Sequence, residues 1–595
     1  MPDYRAPVDD IRFVLCQVLD APLLFAGLQG TEDVDAALID AVLEEAGRFA
    51  ERVLAPLNAS GDAEGCHLDT DHGTVATPAG FAEAYRAYVK GGWSGLNAPV
   101  EYGGQGLPEA LGAAVKEMID AANLAWGTYP LLSHGAIEAL RVHGTDWQRE
   151  TFLKPIVSGR WTGTMCLTEA HCGSDLALLR ARAEAAGDDR YRINGDKIFI
   201  TAGEHDLADN IVHLVLARLP DAPAGSRGIS LFVVPKFLPD ADGSPGARNG
   251  VTCTALEHKM GLRGSATCAM HFENAEGWLV GAPHGGLAAM FTMMNSARLA
   301  VGMQGLGLIE RARQRSLAYA RERLQMRDIA GAKFPQLPAD PLIVHADVRR
   351  MLLTQKAFAE GLRVLALHAA TLVDTGQRSS DADTRTAAEE ELSFLIPIVK
   401  GLGTEAAIEC TNHALQIFGG HGYIVDNGME QLVRDARITT IYEGTTQIQA
   451  LDLLGRKLVQ LRGVGFARFH RRIAALCEDQ RDVVALAEFI VPLVREATAW
   501  QELGTELVTE ARNNPETIAA AAVDYLFLSG YVALAWAWTA GVAAADRTDD
   551  ARLRRAKRAV ARFGFARLLP RIAAHREAIR AGPDSLLALA ADEFD

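Results

Sequence analysis

The 595-residue chain is 49% hydrophobic and 23% charged, with a formal net charge of −16. This is the make-up of a folded protein large enough for several domains. The acidic balance argues against a broad nucleic-acid-binding surface, which needs a basic face, but not against acidic metabolites held in a local pocket. Eight scattered cysteines (Cys16, Cys66, Cys166, Cys172, Cys253, Cys268, Cys410 and Cys477) contain no C-x-x-C pair. Neither a disulfide framework nor a metal site is expected, and the thiols suit a reducing cytoplasm.

Residues 1–34 read as an N-terminal extension. Their opening, "MPDYRAPVDDIRF", has acids early and lacks the charged-then-apolar layout of a signal peptide, so a cytoplasmic protein is expected. Residues 35–160 read as a helical domain. "DAALIDAVLEEAGRFAERVLAPLN" keeps apolar residues three and four apart and is expected to stop at Asn58 and Gly61. "FAEAYRAYVKGGW" and "PEALGAAVKEMIDAANLAW" continue the pattern.

The texture changes near Trp161, and residues 161–280 read as a β domain. In "YRINGDKIFIT", Asn194-Gly195 lies between two alternating runs, the signal of a tight hairpin turn. "VHLVLARL", "GISLFVVPK" and "CAMHFENA" are further strands. Residues 281–464 return to long helical patterns, and residues 465–595 form an Ala/Arg-rich helical extension. Within it, "YLFLSGYVALAWAWTAGVAAA" from Tyr525 is uncharged and long enough to span a bilayer. A helix buried in a bundle has the same composition and is the preferred reading, so no membrane association is expected. The basic run "RLRRAKRAVARFGFARLLPR" reads as a solvated helix, with acidic partners or anionic lipid as alternatives.

Four short stretches carry chemistry. "MCLTEAHCGSD" runs from Met165 to Asp175, "KIFITAGE" from Lys197 to Glu204, and "QIFGGHGY" from Gln416 to Tyr423. The fourth, "RDARITTIYEGTTQIQ", contains a lone acid, Glu443. Each has a plain structural reading. Glu443 could favour the helix dipole ahead of an N-cap at Thr445 or Thr446. Ser174 could sit in a Gly-Ser turn, Phe199 in a strand core, Arg323 on a helix surface, and Gly419-Gly420 at a helix C-cap. Asn295 and Arg298 could be a polar pair on a helix surface.

Taken together and in order, these stretches resemble the acyl-CoA dehydrogenase family from about residue 35 to 460. The resemblance implies a multidomain α+β fold: an N-terminal helical domain, a middle β domain, a helical bundle and here an extra C-terminal helical domain. It also implies FAD as cofactor and oxidation of an acyl-CoA thioester to its 2-enoyl form, with Glu443 as the base that removes the Cα proton. Tyr442 and Gly444 flank the substrate, and the Glu443 backbone N–H helps bind the thioester oxygen.

The same resemblance assigns Cys166, Leu167, Thr168, Phe199 and Thr201 to the flavin ring. Phe199 stands where the family usually has Trp, keeping a stacking face without the indole donor. Ser174 falls to the FAD phosphate or the CoA arm, and Asn295 and Arg298 to the CoA arm. Arg323, Gln416, Gly419 and Gly420 fall to FAD from a neighbouring subunit, and Thr445 and Gln447 to the nucleotide. After Arg323 the family's Q/T-F-G is altered to Gln325-Met326-Arg327.

A shared FAD site implies a homodimer or dimer of dimers. The extra domain and the runs "EHKMGLRGSATCAMHF" and "FTMMNSARLAVGMQGLG" are similar to a long-form branch that includes enzymes acting on 3-(methylthio)propanoyl-CoA and long-bodied bacterial acyl-CoA dehydrogenases; the former substrate is the one expected, with electron-transfer flavoprotein as acceptor. Medium- or long-chain fatty acyl-CoA oxidation, an acyl-CoA oxidase, and a DNA-protecting flavoprotein are the alternatives.

Overall fold

Helical, β, helical and again helical segments follow one another along the chain in a computed structural model that describes residues 4–595. Its residues group into two units. One comprises Arg48–Leu107 and Ala122–Ala300; the other comprises residues up to Gly47, Pro108–Ala121 and Val301–Asp595. This is the expected mixed architecture, with the additional helices at the C-terminal end.

The first unit is organised by a seven-stranded sheet. Thr267–Val280 pairs antiparallel with Val251–Leu256, Arg190–Thr201 and Ile229–Pro235, and Asn210–Arg218 pairs parallel with Trp161–Cys166. Further pairings of Arg182–Gly187 with Arg190–Thr201 and Asn210–Arg218, and of Asn210–Arg218 with Ile229–Pro235, close the strands into a ring. Asn210–Arg218 and Ile229–Pro235 are buried on both faces, as their unbroken apolar runs require.

Two sequence expectations are corrected. Asn194-Gly195 is not a hairpin turn but lies inside one continuous strand, Arg190–Thr201. The turn falls at Asp188-Asp189, both in the left-handed region (φ 50° and 58°) as a type I′ turn requires. Asn194 instead faces a bulge in Thr267–Val280, where its Oδ1 accepts the Asn274 N–H at 2.8 Å. The early helix also outruns its expected stop. Ala36–Phe49 passes through a π-helical turn and a further helix, Leu57–Glu64, to end at Gly65.

The second unit is built on long helices. Ala346–Arg378 and Ala382–Phe418 carry broad buried faces. Glu516–Asp546 is, among the described residues, the one helix long and apolar enough to cross a membrane (mean hydropathy 1.7). Its Tyr525, Leu526, Leu528, Val532 and Leu534 are nevertheless fully buried. Trp538 Nε1 donates to the Ala357 carbonyl at 2.8 Å, and Ser529 Oγ accepts Trp500 Nε1 at 3.0 Å. Packing inside the bundle accounts for its composition.

The basic run is not simply solvated. Arg558 and Arg562 pair with Glu488, Arg571 with Glu409, and Lys557 with Asp10 and Glu360. Asp10, in the N-terminal helix Val8–Phe13, also accepts from Arg363. Arg363, 1% exposed on its side chain, further engages Glu117 (2.5 Å) and Glu310 (3.2 Å). One buried network thus ties the N-terminal segment, the bundle and the C-terminal extension together.

Candidate active site

In the helical unit, the chain from Met429 to Thr439 is a helix, followed by a tight turn and a second helix from Thr446. Glu443 forms that turn with φ 54°, and Gly444 follows at φ 91°. A left-handed conformation is strained for a glutamate and persists only where its surroundings over-determine it. Those surroundings are specific. Lys400 Nζ, fully buried, donates to the Gly444 carbonyl at 2.6 Å, and Gln449 Nε2 donates to the Glu443 carbonyl at 3.1 Å. Tyr442 donates its hydroxyl to Gln304 Oε1 at 2.5 Å.

The second helix is capped by Thr445, whose Oγ1 accepts the Ile448 N–H at 3.3 Å, while Thr446 Oγ1 donates to Glu405 at 2.6 Å. Glu443 is half-buried with Oε2 shielded from solvent. Thr445→Ala is expected to lower stability by about 1 kcal/mol through loss of the cap, seen as a lower denaturant midpoint of the cofactor-free protein.

Around "QIFGGHGY", Gln416 is exposed, and Gly419 ends the Ala382–Phe418 helix at φ 60°. A Cβ built at Gly419 or Gly420 would meet nothing within 4 Å. The helix-cap reading therefore holds at Gly419, yet both glycines also face open space where a group could approach the main chain closely. Arg323 is exposed just beyond Gly286–Glu322, and its guanidinium has no partner among the described residues. Arg327 serves its own loop, donating to the Phe334 carbonyl at 3.0 Å and pairing with buried Asp340. Gln447 is exposed.

In the sheet unit, Cys166 and Leu167 are buried at the end of Trp161–Cys166, and Thr168 is half-buried. Burial pushes the Cys166 thiol up to about 12, so it is an apolar packing group at neutral pH. The segment is pinned from beneath. Lys197, fully buried, donates to the Leu167 carbonyl (3.1 Å) and to Glu169 (2.8 Å), and the Ile198 N–H donates to the Thr168 carbonyl at 2.9 Å. Burial would raise the Glu169 carboxyl; Lys197 and two backbone N–H groups outweigh it and hold it below its ordinary value.

Phe199 is not a core residue. The register slips by one residue between Lys197 and Ile200, and the bulge throws Phe199 outward at φ 59°, leaving it 58% exposed. An aromatic ring presented this way is a stacking platform. Thr201 is half-buried opposite Thr267, and Ser174 is exposed. Asn295 is exposed but Arg298 is buried, so the surface-pair reading fits only the first of them. Glu169, His171 and Cys172 bring potential metal-ligand atoms within 4.8 Å of one another. Both Glu169 oxygens and His171 Nε2 are already engaged by hydrogen bonds.

Lys400, Gln304 and Gln449, which hold the Glu443 turn, escaped sequence reasoning. Lys400 had a signal: it is the one charge in the apolar helical run "FLIPIVKGLG", where a buried cation demands a partner.

Four family profiles match in order: acyl-CoA dehydrogenase N-terminal domain (39–160), middle domain (164–275) and C-terminal domain (284–458), then acetyl-CoA dehydrogenase C-terminal like (469–590). The chain belongs to the acyl-CoA dehydrogenase family of FAD-dependent oxidoreductases. It is 43% identical over 589 residues to a 3-methylmercaptopropionyl-CoA dehydrogenase of Ruegeria pomeroyi, covering 98% of this chain and 99% of that one. It is 38% identical over 481 residues to a broad-specificity linear acyl-CoA dehydrogenase of Mycobacterium tuberculosis, covering 80% and 78%. Its fold matches that of Caenorhabditis elegans ACDH-11, solved in complex with C11-CoA, at a TM-score of 0.77 and 19% identity over 96% of this chain and 92% of that one.

Proposed function

We propose that the protein oxidises 3-(methylthio)propanoyl-CoA to 3-(methylthio)acryloyl-CoA and passes the electrons to an electron-transfer flavoprotein. The observation that carries this reading is the 43% identity to the Ruegeria enzyme, which runs through the C-terminal extension as well as the family's common body. The residues present suit FAD: an outward aromatic at Phe199, and two glycines with open space above them. Cys166, Leu167, Thr168, Phe199 and Thr201 would hold the ring. Arg323, Gln416, Gly419, Gly420, Thr445 and Gln447 would hold the diphosphate and nucleotide, the exposed guanidinium of Arg323 suiting phosphate. FAD, when bound, supplies the acceptor for the hydride leaving Cβ.

The chain supplies the rest. Glu443 takes the Cα proton onto its carboxylate, and its backbone N–H donates to the thioester oxygen where negative charge develops. Lys400 and Gln449 fix the turn through its carbonyls. Asn295 would meet the CoA arm at the surface, with Arg298 supporting it from beneath; Ser174 would meet the arm or an FAD phosphate, and Tyr442 and Gly444 would flank the acyl thioester. Phosphate-binding residues on the helical unit fit a homodimer or dimer of dimers in which subunits share cofactor sites. Eight free cysteines fit a reducing cytoplasm.

A second reading, oxidation of linear fatty acyl-CoA, is favoured by the 38% identity to the mycobacterial enzyme. A panel of CoA thioesters assayed with a dye acceptor decides between them. The proposal predicts that kcat/KM for 3-(methylthio)propanoyl-CoA exceeds that for octanoyl- and palmitoyl-CoA by at least about tenfold, the discrimination a shaped apolar pocket provides. Higher kcat/KM for a longer chain would replace it with the second reading.

A further inference from the structure

Two surfaces in the helical C-terminal extension lack an occupant, and each offers what the other needs. The first is a trough of about 620 Å³ between the helix Ala487–Asn513 and residues 562–576. Backbone irregularity marks both walls. Pro492 interrupts the hydrogen-bond ladder inside Ala487–Asn513, and the facing wall passes through a π-helical turn, Gly564–Leu568. The floor is apolar, with Phe489 and Pro492 on one side and Phe565, Leu569 and Ile572 on the other. An ion pair marks each end along the helix. Glu488 accepts from Arg562 Nε and Nη2 at 2.7 and 2.9 Å, and Glu496 accepts from Arg576 Nη2 at 2.8 Å and Arg495 Nε at 3.0 Å. Three lining guanidiniums thus share two carboxylates, and Arg576 Nε is buried without an acceptor among the described residues. The eight residues from Glu488 to Glu496 set the two ends about 12 Å apart.

The second surface is the segment 583–595, "PDSLLALAADEFD". Its Leu586, Leu587, Leu589 and Phe594 are between 47% and 71% exposed, a clustering of large apolar side chains that marks an interface rather than ordinary surface. The segment carries Asp584, Asp592, Glu593 and Asp595 and no base, and none of these acids pairs with a cation among the described residues. Its run of Leu and Ala favours a helix, yet the α-helix Asp584–Leu587 stops after one turn. So short a helix does not propagate without a face to pack against. Continued as a helix, the segment would place Asp584 and Asp592 about 12 Å apart, with the leucines between them. That is the layout of the trough in mirror chemistry: apolar in the middle, charged at both ends.

We propose that the segment 584–594 docks as a helix in the trough of a second copy of this chain. The leucines enter the apolar floor, as an amphipathic helix enters a groove. Asp584 and Asp592 meet the unspent N–H groups of Arg562 and Arg576 at the two ends, in charge-assisted hydrogen bonds. The chain's own segment leaves its trough open. Gly582, at φ 68°, and Pro583 follow the helix Ile572–Arg580, whose Arg576 lines the trough, and the leucines beyond them stay exposed. Exchange in both directions joins two copies through identical contacts. This interface does not depend on the reaction proposed above.

The test is photo-cross-linking of the full-length, FAD-loaded protein with benzoylphenylalanine at position 587. A denaturing gel separates covalent dimer from monomer, and peptide mapping locates the bond. The expected result is a covalent dimer in which position 587 is joined to residues 488–496 or 562–576. Leu586→Asp combined with Leu589→Asp is expected to lower the dimer yield by about tenfold, the loss of one anchor cluster, while flavin reduction by acyl-CoA is unchanged. Arg576→Met is expected to lower it by about threefold or more through the missing charge-assisted bond. Should Arg576→Met not fold, the leucine variant, altered only at exposed side chains, decides. A bond within one chain, a bond outside the trough, no protein adduct, or an undiminished yield in the leucine variant would each overturn the proposal.

Discussion

Glu443→Gln is expected to retain FAD and to lose flavin reduction by acyl-CoA by on the order of 10²–10⁴-fold or more. The substitution is nearly isosteric and removes only the ability to take a proton. It leaves in place the bonds that run from Lys400 and Gln449 to the main-chain carbonyls of Gly444 and Glu443. The capped helix that follows depends on Thr445, which is also unchanged. Single-turnover kinetics under anaerobic conditions isolates the step, and the visible spectrum of the bound flavin checks occupancy. A variant reduced at near wild-type rate would show that another group removes the Cα proton.

Arg363→Met is expected to destabilise the protein by about 3–5 kcal/mol, the cost of leaving buried charges without their partner. The guanidinium serves Asp10, Glu117 and Glu310 at once. Burial alone would lift the Glu310 carboxyl, but Arg313 and Arg363 outweigh it and hold it at about 2. Asp10 is likewise held far below the ordinary carboxylate range: burial opposes this, and Lys557 and Arg363 dominate.

Both are acids whose folded pKa is depressed, so their contribution is complete above the unfolded value near 4. It is lost as pH falls from there toward about 2. The wild type should therefore lose stability steeply through that acid window, and Arg363→Met should lose much less, having already forfeited the pairing. Denaturant midpoints at constant slope measure both effects. Equal acid sensitivity in the two proteins would mean that the network does not carry the linkage.

Local chemistry made some features legible. Thr445 as N-cap, the strand runs and the buried reading of Glu516–Asp546 all follow from short-range pattern, and the structure agrees. The misread hairpin shows where local pattern stops. Asn-Gly tolerates left-handed backbone whether it turns the chain or faces a bulge, and only the partner strand decides which. The exposure of Phe199 has the same origin, since a one-residue slip against Thr267–Val280 reverses a side chain's face.

The supports of the Glu443 turn were illegible for a different reason. Lys400 and Gln304 lie 44 and 138 residues from their partners, and Arg363 reaches across 246 and 353. No local periodicity encodes such pairings. A lone charge in an apolar run marks that a partner must exist, without saying which. The basic C-terminal run shows the converse, looking solvated by composition while its acids wait elsewhere in the chain.

The most direct measurement is a crystal structure of FAD-loaded Glu443→Gln with 3-(methylthio)propanoyl-CoA bound and trapped before oxidation. The account predicts the position-443 side chain within about 3.5 Å of the substrate α-carbon, a near-attack distance, with the main-chain N–H of that residue on the thioester oxygen. An α-carbon lying against a different carboxylate, with residue 443 turned away from it, would contradict the account.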